Sequence, residues 1–228
     1  MLENYLQSLG IEEKENKLLQ FQRFKDYLLE QNKLFNLTAI TDEKEIESKH
    51  FIDSLSAFSY INGNILDIGS GAGFPSVPLS IVCPQFSFTL VDSLQKRVEF
   101  LKRVFDLLSL QNGTAIHTRI EDFVQKASFD TVLARAVARM NTLCEYALPF
   151  LKVGGTFIAY KTYGPALDEE IKEAQNALSI LGGCVEKIEE VNNTYMKDFH
   201  HALVLIKKVK DTPPKYPRKQ NKPKTNPL

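Results

Sequence analysis

The stretch "LDIGSGAGFPSVPL" (residues 66–79) places three glycines at alternate positions, Gly69, Gly71 and Gly73, directly after a short apolar run. Glycine has no Cβ and adopts positive φ readily, so it permits a tight turn and a close approach to the backbone. The stretch therefore predicts a buried strand, a glycine turn and a helix with two prolines in its first turn. In an open parallel sheet, ligands bind at the carboxyl ends of the strands, where this turn lies.

Short apolar segments recur along the chain and alternate with helical patterns, as at 93–108. The strand candidates are 64–68, 86–92, 113–118, 129–134, 155–161, 184–191 and 201–209. Alternating strands and helices predict an α/β fold, in which helices cover both faces of a mostly parallel sheet. The linker between the last two candidates is too short for a helical crossover, so we expect an antiparallel final strand in a seven-stranded sheet.

The residues before the glycine stretch show helical patterns throughout. Apolar residues recur at helical spacing over 12–35, and Asp42 with Glu45 three positions later is typical of a helix start. We therefore expect an N-terminal helical extension over residues 1–60, an α/β domain over 61–210 and a tail over 211–228.

The composition is that of a globular protein. The chain has 228 residues, 43% of them hydrophobic and 25% charged, and no apolar stretch long enough to span a membrane. Because no signal peptide is evident, we expect a cytoplasmic protein without a membrane partner. We also expect it to be a monomer. The three cysteines, Cys83, Cys144 and Cys184, are far apart, which favours reduced thiols over a disulfide or a metal site.

A net charge of zero conceals a basic C-terminal segment. Residues 207–228 hold eight lysines and arginines and one acid, Asp211, so this segment carries +7 and the rest of the chain −7. Five prolines favour an extended conformation. The segment is either a solubilising end or an arm for a polyanion. In the second case, removing 213–228 is expected to weaken the binding of that polyanion.

The glycine pattern limits the choice of ligand. A dinucleotide fingerprint requires a glycine where Phe74 stands, and the Gly-Lys-Ser/Thr end of a phosphate-binding loop is missing. The Asp-x-Gly-x-Gly-x-Gly arrangement from Asp67 suits S-adenosylmethionine, with Asp92 at the next strand end to accept bonds from ribose hydroxyls. The following "TRIEDF" segment (118–123) is placed to frame an adenine. The alternative is a glycine turn between packed elements.

Two kinds of methyl transfer lack their usual residues. No Pro-Cys pair supplies the nucleophile for a pyrimidine carbon, and no Asn/Asp-Pro-Pro-aromatic segment clamps an exocyclic amine. Acceptors with a free lone pair remain, among them a ring nitrogen such as guanine N7, which needs orientation and no general base. A small-molecule methyltransferase and a binding protein without chemistry remain alternatives.

Several blocks resemble one known family in their order and content. They are "FNLTAITDEKEIESKHFIDSL", "LDIGSGAGFPSVPL", "LVDSLQKRVEFL", "RIEDF", "ARAVA" and "YPRK…P". The chain is similar from about Phe35 onward to the ribosomal RNA small subunit methyltransferase G family, also called glucose-inhibited division protein B. The resemblance implies a class I S-adenosylmethionine-dependent methyltransferase (Rossmann-like) fold. It also implies methylation of N7 of one guanosine, at position 527, in 16S rRNA or in an assembling small ribosomal subunit.

The resemblance also assigns residues. With the loop glycines, the implied cofactor-binding set is Gly69, Gly71, Gly73, Phe74, Asp92, Ile120, Glu121 and Arg135. The implied catalytic set is Arg119, Arg135 and Lys161, which would hold the acceptor nucleotide. A salt bridge from Arg135 to Asp67 or Asp92 is the structural alternative.

Some positions near the expected site stay open. Ser76 and Thr162 replace glycines that the family usually has. His50 and Asp53 either pair structurally or line the acceptor pocket, and Lys96 and Arg97 either bind phosphate or form an ordinary polar helix face. His200 and His201 receive no role.

Overall fold

A seven-stranded sheet forms the centre of the computed structural model, which describes residues 1–191, 194–196 and 200–228. The strands are β1 (Asn64–Ile68), β2 (Ser87–Asp92), β3 (Gly113–His117), β4 (Phe129–Arg135), β5 (Leu151–Thr162), β6 (Gly183–Glu190) and β7 (His201–Lys208). Their order across the sheet is β3-β2-β1-β4-β5-β7-β6. All seven strand predictions are confirmed, with shifts of a few residues at the ends.

The sheet is parallel from β3 to β5, and β7 runs antiparallel to both of its neighbours. The mostly parallel α/β fold and the antiparallel final strand are therefore confirmed. The register aligns the ends that carry the expected site, since Asp92 lies opposite His117 and Arg135 opposite Tyr160. Because β7 is antiparallel, its first residue, His201, reaches the same edge, opposite Thr162.

Helices cover both faces of the sheet. They are α1 (Leu2–Ser8), α2 (Lys14–Phe35), α3 (Glu43–Glu45), α4 (Asp53–Leu55), α5 (Ser76–Val82), α6 (Gln95–Leu107), α7 (Met140–Ala147), α8 (Pro165–Glu173), α9 (Gln175–Leu181) and α10 (Lys222–Thr225). Short 3₁₀ turns lie at Phe58–Tyr60, Ile120–Asp122 and Leu148–Phe150, and a π-helix at Ile46–Ile52. Helices α8 and α9 follow one another directly and meet at Ala174. No helix in the described part of the chain is long and apolar enough to cross a bilayer.

The N-terminal helices share the core of one sheet face. Side chains of α1, α2, α5 and α6 form one buried cluster with residues of the strands, and α7 to α9 form the cluster on the opposite face. Aromatic rings join the N-terminal helices to the glycine loop. The ring centroid of Phe24 in α2 lies 5.7 Å from that of Phe51 and 5.4 Å from that of Phe74. The extension over 1–60 therefore packs directly on the element that holds the glycine loop.

The segment from α3 to α4 is one continuous helix with a π-helical middle. The Asp42 side chain accepts a hydrogen bond from the Glu45 N–H at 3.0 Å, which confirms the predicted helix start. At the end of the π-helix the Asp53 N–H bonds to the carbonyls of Ser48 and His50. In a regular α-helix it would bond to the carbonyl of Lys49. The Lys49 carbonyl is thereby left to a partner outside the helix.

The basic tail is docked on the domain. The buried Glu145 carboxylate of α7 accepts hydrogen bonds from the Arg218 backbone N–H at 2.7 Å and from its guanidinium at 2.6–3.1 Å. Tyr216 and Pro223 are buried. The expectation of an extended, non-helical tail is wrong for α10, and a buried ion pair fixes the segment against α7.

Two glycines of the loop are expected to differ in their tolerance of a side chain. Gly73 (φ +94°) has Val77 Cγ2 only 2.6 Å from an ideal Cβ position, whereas Gly71 (φ +55°) has no atom nearer than 3.8 Å. Both substitutions by alanine incur the cost of a positive φ, about 1–2 kcal/mol. Gly73→Ala adds steric overlap worth roughly 1–3 kcal/mol. Urea unfolding of the two variants should show the larger loss for Gly73→Ala, and equal losses would contradict this packing.

Candidate active site

The first cleft lies at the carboxyl ends of β1 and β2 and has a volume of about 410 Å³. Its lining residues are Ile68, Gly69, Val91, Asp92, Ser93, Thr118, Arg119, Ile120, Glu121, Val137, Ala138, Tyr146, Asn221 and Lys224. Five of the predicted site residues are therefore together: Gly69, Asp92, Arg119, Ile120 and Glu121. The cleft has the size of a small-molecule site and mixes apolar walls with a few polar groups.

Asp92 connects the glycine loop to the second strand. Its Oδ2 accepts from the Gly71 N–H at 2.9 Å, and its Oδ1 accepts from the Leu94 N–H at 2.9 Å. The Arg97 guanidinium lies 3.5 Å from Oδ2. A carboxylate oxygen can accept more than one hydrogen bond, so both oxygens keep capacity for the hydroxyls of a ligand.

The remaining loop residues have other surroundings. Gly73 is packed against Val77 and Leu101. The buried Phe74 ring stacks on His50, with 4.3 Å between ring centroids. Gly71, Gly73 and Phe74 are not among the residues that line the first cleft. A contact of these three with a cofactor in that cleft stays a prediction.

Asp67, the acid that precedes the glycines, is buried and does not line the first cleft. The hydroxyls of Ser70 and Ser76 lie beside its carboxylate and partly offset the effect of burial, but among the described residues none forms a hydrogen bond of good geometry with it. Burial raises the pKa of Asp67 to about 7, because a charge is costly in such surroundings. The salt bridge to Arg135 that the sequence left open is not formed.

The second cleft adjoins the first and has a volume of about 540 Å³. Its lining residues are Arg135, Ala136, Ala138, Leu143, Tyr160, Lys161, Thr162, Ala166, Leu167, Glu170 and His201. Arg135 and Lys161, predicted in one set with Arg119, thus lie in a different cleft from Arg119. Ala138 lines both clefts, so they share a wall just beyond the end of β4.

Arg135 joins the end of β4 to the N-terminal extension. Its guanidinium lies 3.1 Å from Asp53 Oδ2 and donates to the Lys49 carbonyl at 2.7 Å. That carbonyl is the one that the π-helix leaves unused within the helix. Asp53 is fully buried and also binds His201 Nδ1 at 2.8 Å through Oδ1. The acid that pairs with Arg135 is therefore Asp53, and neither Asp67 nor Asp92.

His50 completes this network as a neutral imidazole. Its Nδ1 accepts from the Arg135 guanidinium at 3.2 Å, because arginine has no acceptor. Its Nε2 then carries the proton and donates to Thr38 Oγ1 at 2.7 Å. Burial, and next the positive charge of Arg135, lower the pKa of His50 to about 4. His50 and Asp53 thus both contact the same guanidinium rather than each other, and neither lines the second cleft.

Lys161 is also paired. Its ammonium lies 2.5 Å from Glu170 Oε2 and donates to the Ala138 carbonyl at 2.9 Å. Glu170 in turn accepts from the Met140 N–H at 3.0 Å, which ties α8 to the start of α7. Lys161 therefore fixes the wall between the clefts as well as lining one of them. Arg119 is exposed and has no ion pair among the residues described.

Sequence reasoning missed several lining residues. His201 opens a strand without any pattern that marks it, and Tyr146 lies on α7, which was not predicted. Asn221 and Lys224 belong to the tail. Lys96 lies over the Phe35 ring, 5.6 Å from its centroid. No cluster of three or more possible metal ligands occurs among the described residues.

Comparisons with known proteins place the chain in a family. The family model described as rRNA small subunit methyltransferase G matches residues 17–199. The chain belongs to this family. A ribosomal RNA small subunit methyltransferase G from Alkaliphilus metalliredigens is 45% identical over 236 residues, covering 100% of this chain and 98% of the relative. One from Desulforamulus reducens is 47% identical and covers 94% of this chain and 91% of the relative.

Solved structures agree on the fold. A methyltransferase dependent on S-adenosylmethionine from Aquifex aeolicus has a TM-score of 0.54 at 20% identity, over 74% of this chain and 94% of that one. The YcgJ protein from Bacillus subtilis has a TM-score of 0.54 at 16% identity, over 72% of this chain and 100% of that one. The fold of S-adenosylmethionine-dependent methyltransferases is thereby confirmed.

The first cleft fits the cofactor that the family membership supports, S-adenosylmethionine. Asp92 offers carboxylate oxygens at a strand end, where a ribose diol can donate to them. Ile120, Val137 and Tyr146 supply apolar surface for a purine. The glycine loop lacks the Gly-Lys-Ser/Thr end that binds phosphates, which agrees with a cofactor that has no phosphate groups.

Asp92 is expected to be required for tight cofactor binding. Asp92→Ala removes the acceptor for ligand hydroxyls, and hydrogen bonds to a charged group contribute about 1.5–3 kcal/mol. The Kd for S-adenosylhomocysteine, measured by calorimetry, should rise by roughly tenfold or more. Asp106→Ala, at an exposed acid of α6, is the control and should bind as the wild type does. Equal affinity of Asp92→Ala and wild type would remove Asp92 from the site.

His50 is expected to make the fold sensitive to acid. Its pKa is about 4 in the folded chain against an ordinary value of 6.5, so the unfolded chain binds the proton first as the pH falls. The contribution of neutral His50 to stability is therefore present above pH 6.5 and lost between pH 6.5 and 4, by roughly 3 kcal/mol. Asp67, whose pKa is raised, changes stability in the opposite direction over a similar range.

A comparison of the wild type with His50→Gln separates the effect of His50 on acid stability from that of Asp67. Glutamine can still donate to Thr38 and accept from Arg135, but it does not titrate. Urea unfolding at several pH values should show a smaller acid loss in the variant. Parallel pH profiles for the two proteins would contradict the assignment.

Proposed function

We propose that this protein transfers the methyl group of S-adenosylmethionine to N7 of one guanosine, at position 527, in 16S rRNA. The observation that carries the proposal is the pair of adjoining clefts, which share Ala138 at the carboxyl edge of the sheet. A methyl transfer requires the donor and the acceptor to lie side by side and in line. Family membership favours ribosomal RNA of the small subunit as the acceptor.

The first cleft would hold the cofactor, which supplies an electrophilic methyl group on a sulfonium. Asp92 would bind the ribose, and Ile120 with Glu121 would contact the adenine, as the sequence predicts. The second cleft would receive the guanine base next to the wall that Ala138 and Val137 form. Residues 61–210 would thus carry out the reaction, with the N-terminal helices fixing Arg135.

The chemistry at guanine N7 needs no general base. N7 has a free lone pair and loses no proton when it is methylated. The second cleft accordingly needs groups that orient the base, and orientation alone can contribute roughly 7–11 kcal/mol. Arg135 and Lys161 are held rigidly by Asp53 and Glu170, so they are suited to positioning the acceptor nucleotide. Exposed Arg119, at the rim, would contact a phosphate.

The RNA substrate is tested by methyl transfer from labelled S-adenosylmethionine in a lysate of a strain that lacks the gene. Ribonuclease treatment of the lysate should abolish methyl acceptance. Mass spectrometry of digested 16S rRNA should show 7-methylguanosine at the proposed position only after the wild-type protein is supplied. Methyl acceptance that resists ribonuclease would favour the small-molecule alternative and overturn the proposal.

Arg135→Lys is expected to lower turnover at saturating RNA. Lysine keeps the charge but loses the planar fork that binds Asp53, the Lys49 carbonyl and His50 together. We expect a fall of roughly tenfold or more, equivalent to at least about 1.4 kcal/mol. Arg139→Lys, in an exposed ion pair with Glu173, is the matched control and should keep wild-type turnover. Full turnover of Arg135→Lys would exclude a positioning role.

A further inference from the structure

Two residues of the C-terminal tail line the first cleft. Asn221 and Lys224 are separated in sequence from the other lining residues and face the same space as Asp92, Ile120 and Glu121. Asn221 adopts a left-handed conformation with φ +60°, which begins α10. Neither side chain makes a hydrogen bond or ion pair with another residue of the described chain. The tail therefore presents one uncommitted carboxamide and one uncommitted ammonium group to the cleft.

The tail is held in this place by buried contacts. Glu145 has an exposed fraction of 0%, and Arg218 satisfies its carboxylate through the backbone N–H and the guanidinium. Thr142 Oγ1 donates to the Pro223 carbonyl at 2.9 Å, one residue before Lys224. A buried carboxylate that lost its partner would be strongly unfavourable, so the docked position is built into the fold.

The docked tail crosses the end of the cleft that holds the expected adenine contacts. The Lys219 ammonium lies 3.5 Å from Asp122, in the 3₁₀ turn that also contains Ile120 and Glu121. The other support of the tail is α7, which contributes Tyr146 to the cleft. The tail thus spans the two elements that enclose this end.

We propose that residues 213–228 form a wall of the first cleft and that Asn221 and Lys224 contact the adenosine part of the cofactor. The proposal rests on the use of the first cleft for S-adenosylmethionine. A carboxamide donates and accepts side by side, which complements the N6 and N7 groups of adenine. A lysine stem can cover the face of the purine while its ammonium stays in water.

This role differs from the one that charge alone predicts for the segment. An arm for RNA would leave cofactor binding unchanged when it is removed. A wall of the cleft makes cofactor affinity depend on the tail, and on the Arg218–Glu145 pair that holds it.

The test measures the Kd of S-adenosylhomocysteine by calorimetry, without RNA. Asn221→Gly removes the carboxamide and keeps the positive φ, and Lys224→Ala removes the stem. Each should weaken binding by about 3–10-fold, the worth of one ordinary hydrogen bond or a similar apolar contact. Lys222→Ala, an exposed lysine of α10 that does not line the cleft, removes the same charge and should bind as wild type.

A truncation after Thr212 distinguishes the wall from the arm. It should lose at least tenfold in affinity for S-adenosylhomocysteine, with a thermal melt confirming that the protein is folded. If the truncated protein does not fold, the two point variants decide. Wild-type affinity in Asn221→Gly and Lys224→Ala would overturn the proposal, as would a folded truncation that keeps cofactor affinity and loses only its salt-dependent RNA binding.

The same titration separates this inference from the proposed function. If the wild-type protein binds no S-adenosylhomocysteine, the assignment of the first cleft fails and the inference fails with it. If the wild type binds and the variants bind equally well, only the role of the tail is lost. A result against guanosine N7 as the acceptor leaves the cofactor measurement unaffected.

Discussion

The guanidinium of Arg135 is the contact that joins the N-terminal helices to the second cleft. It stands at the end of β4 and carries a charge into partly buried surroundings, where an unpaired charge would be strongly destabilising. Its partners come from the N-terminal helices, namely the Asp53 carboxylate, the Lys49 carbonyl and His50 Nδ1. The extension therefore supports the candidate site, since it neutralises and orients a residue that the sheet alone would leave unsupported. Asp53 extends the same connection to β7 through His201.

Much of the fold could be predicted from local patterns. The strands, the helix start at Asp42 and the turn at the glycines follow from apolar periodicity, a capping residue and glycine spacing, which act over a few positions. The partner of Arg135 could not be predicted in this way. Asp67 and Asp92 were the acids at neighbouring strand ends, but Asp53 reaches Arg135 through packing of a distant helix. The docking of the tail could not be predicted from its charge either. It depends on one buried acid of α7, Glu145, which binds Arg218 and none of the other basic residues of the tail. A count of charges does not distinguish among those basic residues, whereas the folded structure buries the partner of only one of them.

The two clefts differ in how their cationic side chains are neutralised. In the first cleft, Arg119 has no ion pair among the described residues. In the second cleft each cation has an anion beside it, Arg135 with Asp53 and Lys161 with Glu170. If a purine is methylated there at N7, positive charge passes from the sulfonium to the base. Paired cations oppose that transfer far less than isolated cations would, because the neighbouring carboxylates offset their field. A purine that gains positive charge at N7 requires side chains that hold it rigidly without adding net positive charge around it.

The π-helix at Ile46–Ile52 behaves as an α-helix with one residue inserted. Deleting a residue from this segment would let the helix return to regular geometry, and by helical propensity alone the shorter sequence would form it more easily. The same deletion would rotate everything on one side of it by about 100° relative to the other. Asp53 and His50 would then no longer face one guanidinium, and the Lys49 carbonyl would return to the helix. The length of this segment is therefore set by the contacts of Arg135 as well as by the helix, since residues within the π-helix and directly after it supply partners to one guanidinium.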